Sequence, residues 1–293
     1  MLNKQVMIIG GSGFLGSNVA KILHKNGYNI KIFDLKKNDN LKFSYEFIEG
    51  DIANYEMLLE ATKKVDYIYH FAGVADIKEA NEDPIKTVKY NVLGTTNILE
   101  SCKINKVKRI LFASSIYVYS ESGGVYRSTK QAAELLIENY SKLNGLDYTI
   151  LRYGSLYGPG ANEFNSINKI LNQAIQNKKI VRSGNGEEIR EYIHINDAAS
   201  GSLKALDEKF KNEYLILSGV TQIKIKDLLR MIQEMIDDNV EIEYTDEKLS
   251  EHYEITPYSF RPRIAKKLVQ ETHIDLGQGI LDSIYDISKK QNK

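Results

Sequence analysis

The chain has 293 residues, 42% of them apolar, with 39 Lys and Arg against 39 Asp and Glu, so its formal net charge is zero. That length and apolar content can bury one large core or two smaller ones, and the charge balance argues against nucleic acid or an anionic membrane surface as a partner. No apolar run approaches the roughly 18 residues of a membrane span, no signal peptide is expected before the first apolar strand, and the single Cys102 excludes an intramolecular disulfide.

In chain order, QVMII (5–9) reads as a buried strand, followed by a helix from Gly13 to Lys25. Strands are expected at 28–33 and 45–50, a helix at 55–64 and a strand at 65–72. A long helical stretch runs from Pro84 to Ile104, with Pro84 suited to its first turn. A strand at 107–115, a helix at 126–143 and a strand at 147–153 complete the first half. Strands alternating with helices, each strand a nearly continuous apolar run, predict an α/β fold: a Rossmann-type doubly wound parallel sheet covered on both faces. After YGPGANEF (157–164), helices at 165–177, 196–207 and 224–238 alternate with short strands at 180–182, 213–217 and 240–243. The expected division is a nucleotide-binding unit over 1–160 and a smaller α/β substrate-binding region over 161–293, parts of which return to the first sheet.

IIGGSGFLGSNVA (8–20) joins the first strand to the first helix. Gly11, Gly13 and Gly16 satisfy G-x-G-x-x-G, and Gly10, Gly13 and Gly16 satisfy G-x-x-G-x-x-G. Glycines in such a turn let a pyrophosphate approach the backbone, and the helix N-terminus offers unpaired N–H groups and partial positive charge. Asp34 closes the second strand, where a carboxylate accepts hydrogen bonds from ribose hydroxyls and repels a 2′-phosphate. The expected cofactor is therefore NAD, although Lys36 and Lys37 weaken the exclusion of NADP. The five His are scattered without ligand spacing, and no metal site is expected.

Three Tyr-x-x-x-Lys pairs occur: Tyr126/Lys130, Tyr244/Lys248 and Tyr285/Lys289. With 19 Tyr and 31 Lys in the chain, about two are expected by chance, so spacing alone selects none. Context selects the first. Ser114 and Ser115 end the fifth strand, at the edge where ligands bind in doubly wound sheets. The helix carrying Tyr126 and Lys130 on one face returns to the same cleft.

GGSGFLG, GDI (50–52), HFAG (70–73), NVLGT (91–95), FASSIYVY (112–119), YRSTK (126–130), LRYGSLYGPG (151–160) and REYIHINDAA (190–199) occur together in this order. In these the chain resembles the extended short-chain dehydrogenase/reductase family, in its nucleotide-sugar epimerase/dehydratase branch. The resemblance implies that Ser115, Tyr126 and Lys130 are catalytic and that Asp51 and Ile52 flank the adenine. It adds Phe14, Leu15, Phe71, Ala72, Gly73, Asn91, Ser114 and Tyr153 as cofactor contacts. Ser155, Arg190 and Arg261 match substrate-binding positions, the two Arg for the diphosphate of a UDP-, GDP- or similar hexose or heptose. A homodimer paired through the helices near 84–104 and 126–143 is implied, as is a cytoplasmic location.

Two departures narrow the reaction. The 4,6-dehydratases of the family carry Asp-Glu just after the Ser/Thr, where this chain has Ile116 and Tyr117, so dehydration lacks its acid and base. Cys102, on the helix before the fifth strand, reads as core and not as a partner in 3,5-epimerisation. Redox chemistry at one carbon, most often C4, remains. The short connection from Ser115 to Tyr126, and Ser155 where Asn is usual, favour a 4-dehydrogenase that releases a keto sugar over a 4-epimerase. A non-catalytic NAD-binding sensor is the lesser alternative. RYGSLYGP with REYIHI resembles relatives in bacterial surface-sugar pathways.

Overall fold

The computed structural model describes residues 4–237, 239–245, 266–268 and 271–291. From the N-terminus, β1 (Gln5–Ile9), α1 (Phe14–Lys25), β2 (Asn29–Asp34), β3 (Glu46–Glu49), α2 (Tyr55–Ala61) and β4 (Tyr67–His70) follow one another. Then come α3 (Ile77–Glu82), α4 (Pro84–Val88), a π-helical segment (Lys89–Gly94) and α5 (Thr95–Asn105). β5 (Arg109–Ser115) runs into a 3-10 turn (Ile116–Tyr119), α6 (Gly124–Asn144) and β6 (Asp147–Tyr153). The second half comprises β7 (Ser155–Tyr157), α7 (Ser166–Asn177), β8 (Lys179–Ser183), β9 (Ile189–His194), α8 (Ile195–Lys204), β10 (Glu213–Leu217) and β11 (Gln222–Lys224). α9 (Ile225–Ile236), β12 (Glu241–Thr245), β13 (Lys266–Lys267) and α10 (Leu276–Gln291) end it.

β1, β4, β5 and β6 are apolar on both sides because both faces of the sheet are covered. The sheet has the order β3-β2-β1-β4-β5-β6-β10-β13, every neighbouring pair parallel. This is the doubly wound α/β architecture the strand–helix rhythm predicts. One core joins it to α1 and α8 through Val19, Leu23 and Ala198; the other joins it to α2, α5 and α6 through Leu58, Leu99 and Ile137. A third core, around Leu171, Leu228 and Ile280, holds α7, α9 and α10 together.

The long helical stretch expected over 84–104 is present and continuous from Pro84 to Asn105, with a π segment inside it. Asp83 caps α4 by accepting the Lys86 N–H, with Pro84 at the first turn as read, but the backbone then passes through the π segment before α5. A short helix at 77–82, strands β7, β9 and β11, and α10 were not expected from the sequence. Each of these strands is short, and β7, β9 and β11 form a separate three-stranded sheet, whose pairing partners are distant in sequence. None of the helices among the described residues is long and apolar enough to cross a membrane.

Candidate active site

The strand order reverses between β1 and β4, and at their carboxyl ends lies a cleft of about 750 Å³. Gly10 has φ +83°, and a Cβ there would stand 2.5 Å from the Ala72 nitrogen; one on Gly16 would stand 2.1 Å from the Gly10 oxygen. Only glycine fits either position, which explains why the turn is so tight. The first helical bond of α1 is Ser17 N–H to Gly13 O, 2.9 Å, so the amides ahead of it lack an intrahelical acceptor. α1 has no side-chain cap and no acid in its first turn. Ser12 Oγ is buried with no hydrogen-bond partner among the described residues, and Ser12 lines the cleft. A glycine cradle, unspent amides and an orphaned hydroxyl together fit a dinucleotide pyrophosphate.

Asp34 stands at the cleft with Oδ2 accepting the Ser12 N–H (2.9 Å) and Oδ1 accepting the Leu35 N–H (2.7 Å). Each carboxylate oxygen has a second lone pair for a ribose hydroxyl. Asn38 braces the opposite side of the turn, donating to Ser12 O at 3.0 Å. Asp51, Ile52, Phe71, Ala72 and Gly73 line the same cleft, Asp51 being held by the Ala53 N–H and the Tyr90 hydroxyl. Phe14 and Leu15 occupy the first turn of α1, Leu15 packed on the core.

Val74, which lines the cleft, packs in one apolar cluster with Tyr126. There the structure brings Ser115, Tyr126 and Lys130 together. The Ser115 hydroxyl is hydrogen-bonded to the Tyr126 phenol and accepts the Tyr117 N–H at 3.3 Å. Lys130 Nζ donates to Ala113 O at 2.9 Å and lies 5.7 Å from the Tyr126 ring centroid. Asn81 of α3 accepts the Val125 N–H at 3.0 Å, fixing the start of α6. All three side chains are buried. Burial raises Tyr126 to about 12, with the Ser115 bond opposing, and lowers Lys130 to about 8. Tyr126 is thus poised in position but not in ionisation, because desolvation outweighs the hydrogen bond from Ser115.

Several expected contacts are placed differently. Asn91 does not line the cleft: its Oδ1 accepts the Val74 N–H (2.8 Å), and its Nδ2 donates to Val74 O and Thr129 Oγ1. It clamps the 72–74 loop to α6 from behind. The Tyr153 ring is packed in the core towards α8, its hydroxyl 2.7 Å from Ser202 Oγ. Ser114 gives its hydroxyl to Glu134 at 2.5 Å. Ser155 and Arg190 lie on neighbouring strands β7 and β9, with Arg190 Nη1 bonded to Ile189 O. Arg261 lies outside the described residues. Of the other Tyr-x-x-x-Lys pairs, Tyr285 is 61% exposed with Lys289 over its ring, Tyr244 is 42% exposed, and Lys248 lies outside the described residues. Cys102 is fully buried in the core, as read.

Sequence reasoning missed Ser12 and Glu134. Ser12 stands between two motif glycines, and Glu134 is four residues beyond Lys130 on the same helix face, a spacing that could have singled it out. Among the described residues no group of three or more His, Cys, Asp or Glu could hold a metal ion.

A doubly wound sheet, a dinucleotide cradle at its switch point and a Ser–Tyr–Lys cluster beside it define a dinucleotide-dependent oxidoreductase fold. The chain matches the model of the NAD dependent epimerase/dehydratase family over residues 6–216. It belongs to that family, and its cofactor is NAD. It is 28% identical over 296 residues to a putative UDP-glucose 4-epimerase of Methanocaldococcus jannaschii, covering 94% of this chain and 95% of that one. It is 27% identical over 270 residues to a UDP-glucuronate 4-epimerase of Thermodesulfobacterium geofontis, covering 81% and 82%. The crystal structure of a Thermotoga maritima UDP-glucose 4-epimerase with UDP-glucose superposes with a TM-score of 0.85 at 22% identity, covering 98% and 99%.

Proposed function

We propose that this protein is a NAD-dependent nucleotide-sugar 4-epimerase acting on a UDP-hexose or UDP-hexuronic acid. The observation that carries the reading is the convergence of Ser115, Tyr126 and Lys130, with Tyr126 packed against Val74, a residue that lines the cleft that fits NAD. Two relatives named as 4-epimerases along most of the chain support the choice of reaction and of UDP. Ile116, 1% exposed, and Tyr117 occupy the positions where dehydration would need an acid and a base.

NAD supplies a hydride acceptor and, in its oxidised form, a positively charged ring. The chain's own residues handle the proton. Ser115 Oγ holds the sugar C4 hydroxyl against Tyr126, whose phenolate accepts the proton and later returns it. Bringing Tyr126 from about 12 to neutrality requires roughly 7 kcal/mol. Lys130 contributes part of this as a nearby cation in a water-poor site, and its ammonium can also bind the nicotinamide ribose. Arg190, on β9, is assigned to the substrate diphosphate, with Ser155 on the neighbouring strand.

Release of the keto sugar is the second reading, favoured by the short connection of one 3-10 turn between Ser115 and the start of α6. Incubation with UDP-glucose and UDP-glucuronate separates the two. An epimerase inverts C4, read by NMR, without accumulating absorbance at 340 nm; a dehydrogenase accumulates NADH in step with a 4-keto product. Neither change with any nucleotide sugar refutes both. A role in surface-polysaccharide sugar supply rests on the motif resemblance. A homodimer is assigned through the apolar surface of α4, the π segment and α6, where Ile85, Val88, Leu93 and Leu135 are exposed.

A further inference from the structure

One turn beyond Lys130 on α6, Glu134 is only 2% exposed. Its Oε1 accepts from Ser114 Oγ (2.5 Å) and Arg152 Nε (3.0 Å), and its Oε2 from Arg152 Nη2 (2.7 Å). Arg152, equally buried, donates Nη1 to the Tyr119 hydroxyl and lies 4.6 Å and 4.5 Å from the ring centroids of Tyr119 and Tyr214. These groups come from the pieces that surround the reacting side chains: the end of β5, the 3-10 turn after it, α6 and β6. A buried ion pair is no more stabilising than well-packed apolar residues of the same volume. What an apolar pair cannot supply is a fixed negative charge one helical turn from a buried ammonium.

We propose that Glu134 is a positioning residue of the reaction: it holds Ser115 against Tyr126 by way of Ser114, and its carboxylate keeps the buried Lys130 ammonium charged. The link to turnover rests on the function proposed above; the effect on Lys130 does not. Burial pushes the Lys130 ammonium down, and Glu134 is the charge that opposes it. The other groups facing Lys130 do not replace it. His70 on β4 is held neutral by burial, down to about 3. β5 offers the Ala113 carbonyl and the Phe112 ring. Tyr126 is neutral until well above pH 7, and Arg152 on β6 is a cation.

The test is a titration of Lys130 in the full-length protein, labelled with 13C,15N-lysine, the Lys130 resonance being the one lost in Lys130→Met. In Glu134→Gln its midpoint falls by about one pH unit or more, a tenfold change in proton affinity. In Arg152→Gln it rises, because Glu134 then faces Lys130 without a competing cation. A brace with no electrostatic role moves both midpoints in the same direction or neither. An unchanged midpoint in Glu134→Gln overturns the proposal. Should that variant not fold, Arg152→Gln decides, and a midpoint that falls or stays there overturns it. The pH–rate profile on a nucleotide sugar is the second readout: the alkaline limb of Glu134→Gln moves to lower pH in step with the titration. A limb that stays in place severs Glu134 from the reaction. A wild type that turns over no nucleotide sugar refutes the proposed function, while the Lys130 midpoints still decide whether Glu134 holds the ammonium charged.

Discussion

Tyr126 and His70 illustrate how burial sets two titrations in opposite ways. Tyr126→Phe keeps the ring that packs on Val74 and Ile77 and removes the phenol. Turnover falls by about two to four orders of magnitude, while NAD binding, followed by fluorescence, is retained. Tyr285→Phe, on an exposed face of α10, leaves turnover within a few-fold of wild type. His70 is buried, with Nε2 2.9 Å from Thr95 Oγ1 and no partner for Nδ1 among the described residues. Its folded pKa of about 3 lies below the ordinary 6.5, so between these values the unfolded chain binds more protons than the folded one. Stability contributed by neutral His70 is complete above pH about 6.5 and is lost as pH falls towards 3, with a slope of up to ~1.4 kcal/mol per pH unit. Urea titrations at several pH values should show a shallower acid limb in His70→Gln; an unchanged limb refutes the assignment.

Among the elements, the π segment is a local feature that the sequence reading did not distinguish within its helical stretch. The run from Pro84 to Ile104 has a helical composition and no internal Pro or Gly pair other than the single Gly94 to mark a break. π segments insert one extra residue per turn and often mark functional sites. Here the segment aims Asn91 at both backbone groups of Val74, whose loop closes the cleft. Asn91→Ala leaves those groups without partners in a buried setting, at a cost of about 1–3 kcal/mol. The urea midpoint should fall accordingly and NAD affinity should drop, since the 72–74 loop forms the cleft wall. Normal NAD affinity with reduced stability would show that the clamp serves the fold alone.

For the whole molecule, the proposed homodimer would pair through the surface of α4, the π segment and α6. Of the apolar residues on α6, Ala133 and Ile137 are fully buried in the chain's own core, and Leu136 and Tyr140 are partly buried against it. Leu135 remains exposed, as do Ile85 (82% exposed) and Leu93, and the same helices supply Val88, Val92, Val125 and Ala132 to a surface groove. Light scattering at micromolar concentration should give about twice the 33.4 kDa chain mass, and Leu93→Glu should shift it to the monomer. A wild type that scatters only as a monomer removes the dimer.

The alternation of apolar strands with amphipathic helices, the glycine turn and the acid closing the second strand were legible along the chain because each is a local pattern, set by backbone sterics and by the period of side-chain burial. Those patterns alone determined the doubly wound sheet and the place of the dinucleotide cleft. Tertiary structure decided what depends on distant partners. It joined the Tyr153 hydroxyl to Ser202, 49 residues away, and Asn91 to Val74 and Thr129. It also joined Glu134 to Arg152 across two elements and left the hydroxyl of Ser12, beside the glycines, without a partner among the described residues. Spacing along one helix or strand names the face a side chain occupies; which partner meets that face, and whether water is excluded when it does, is settled only when the layers pack.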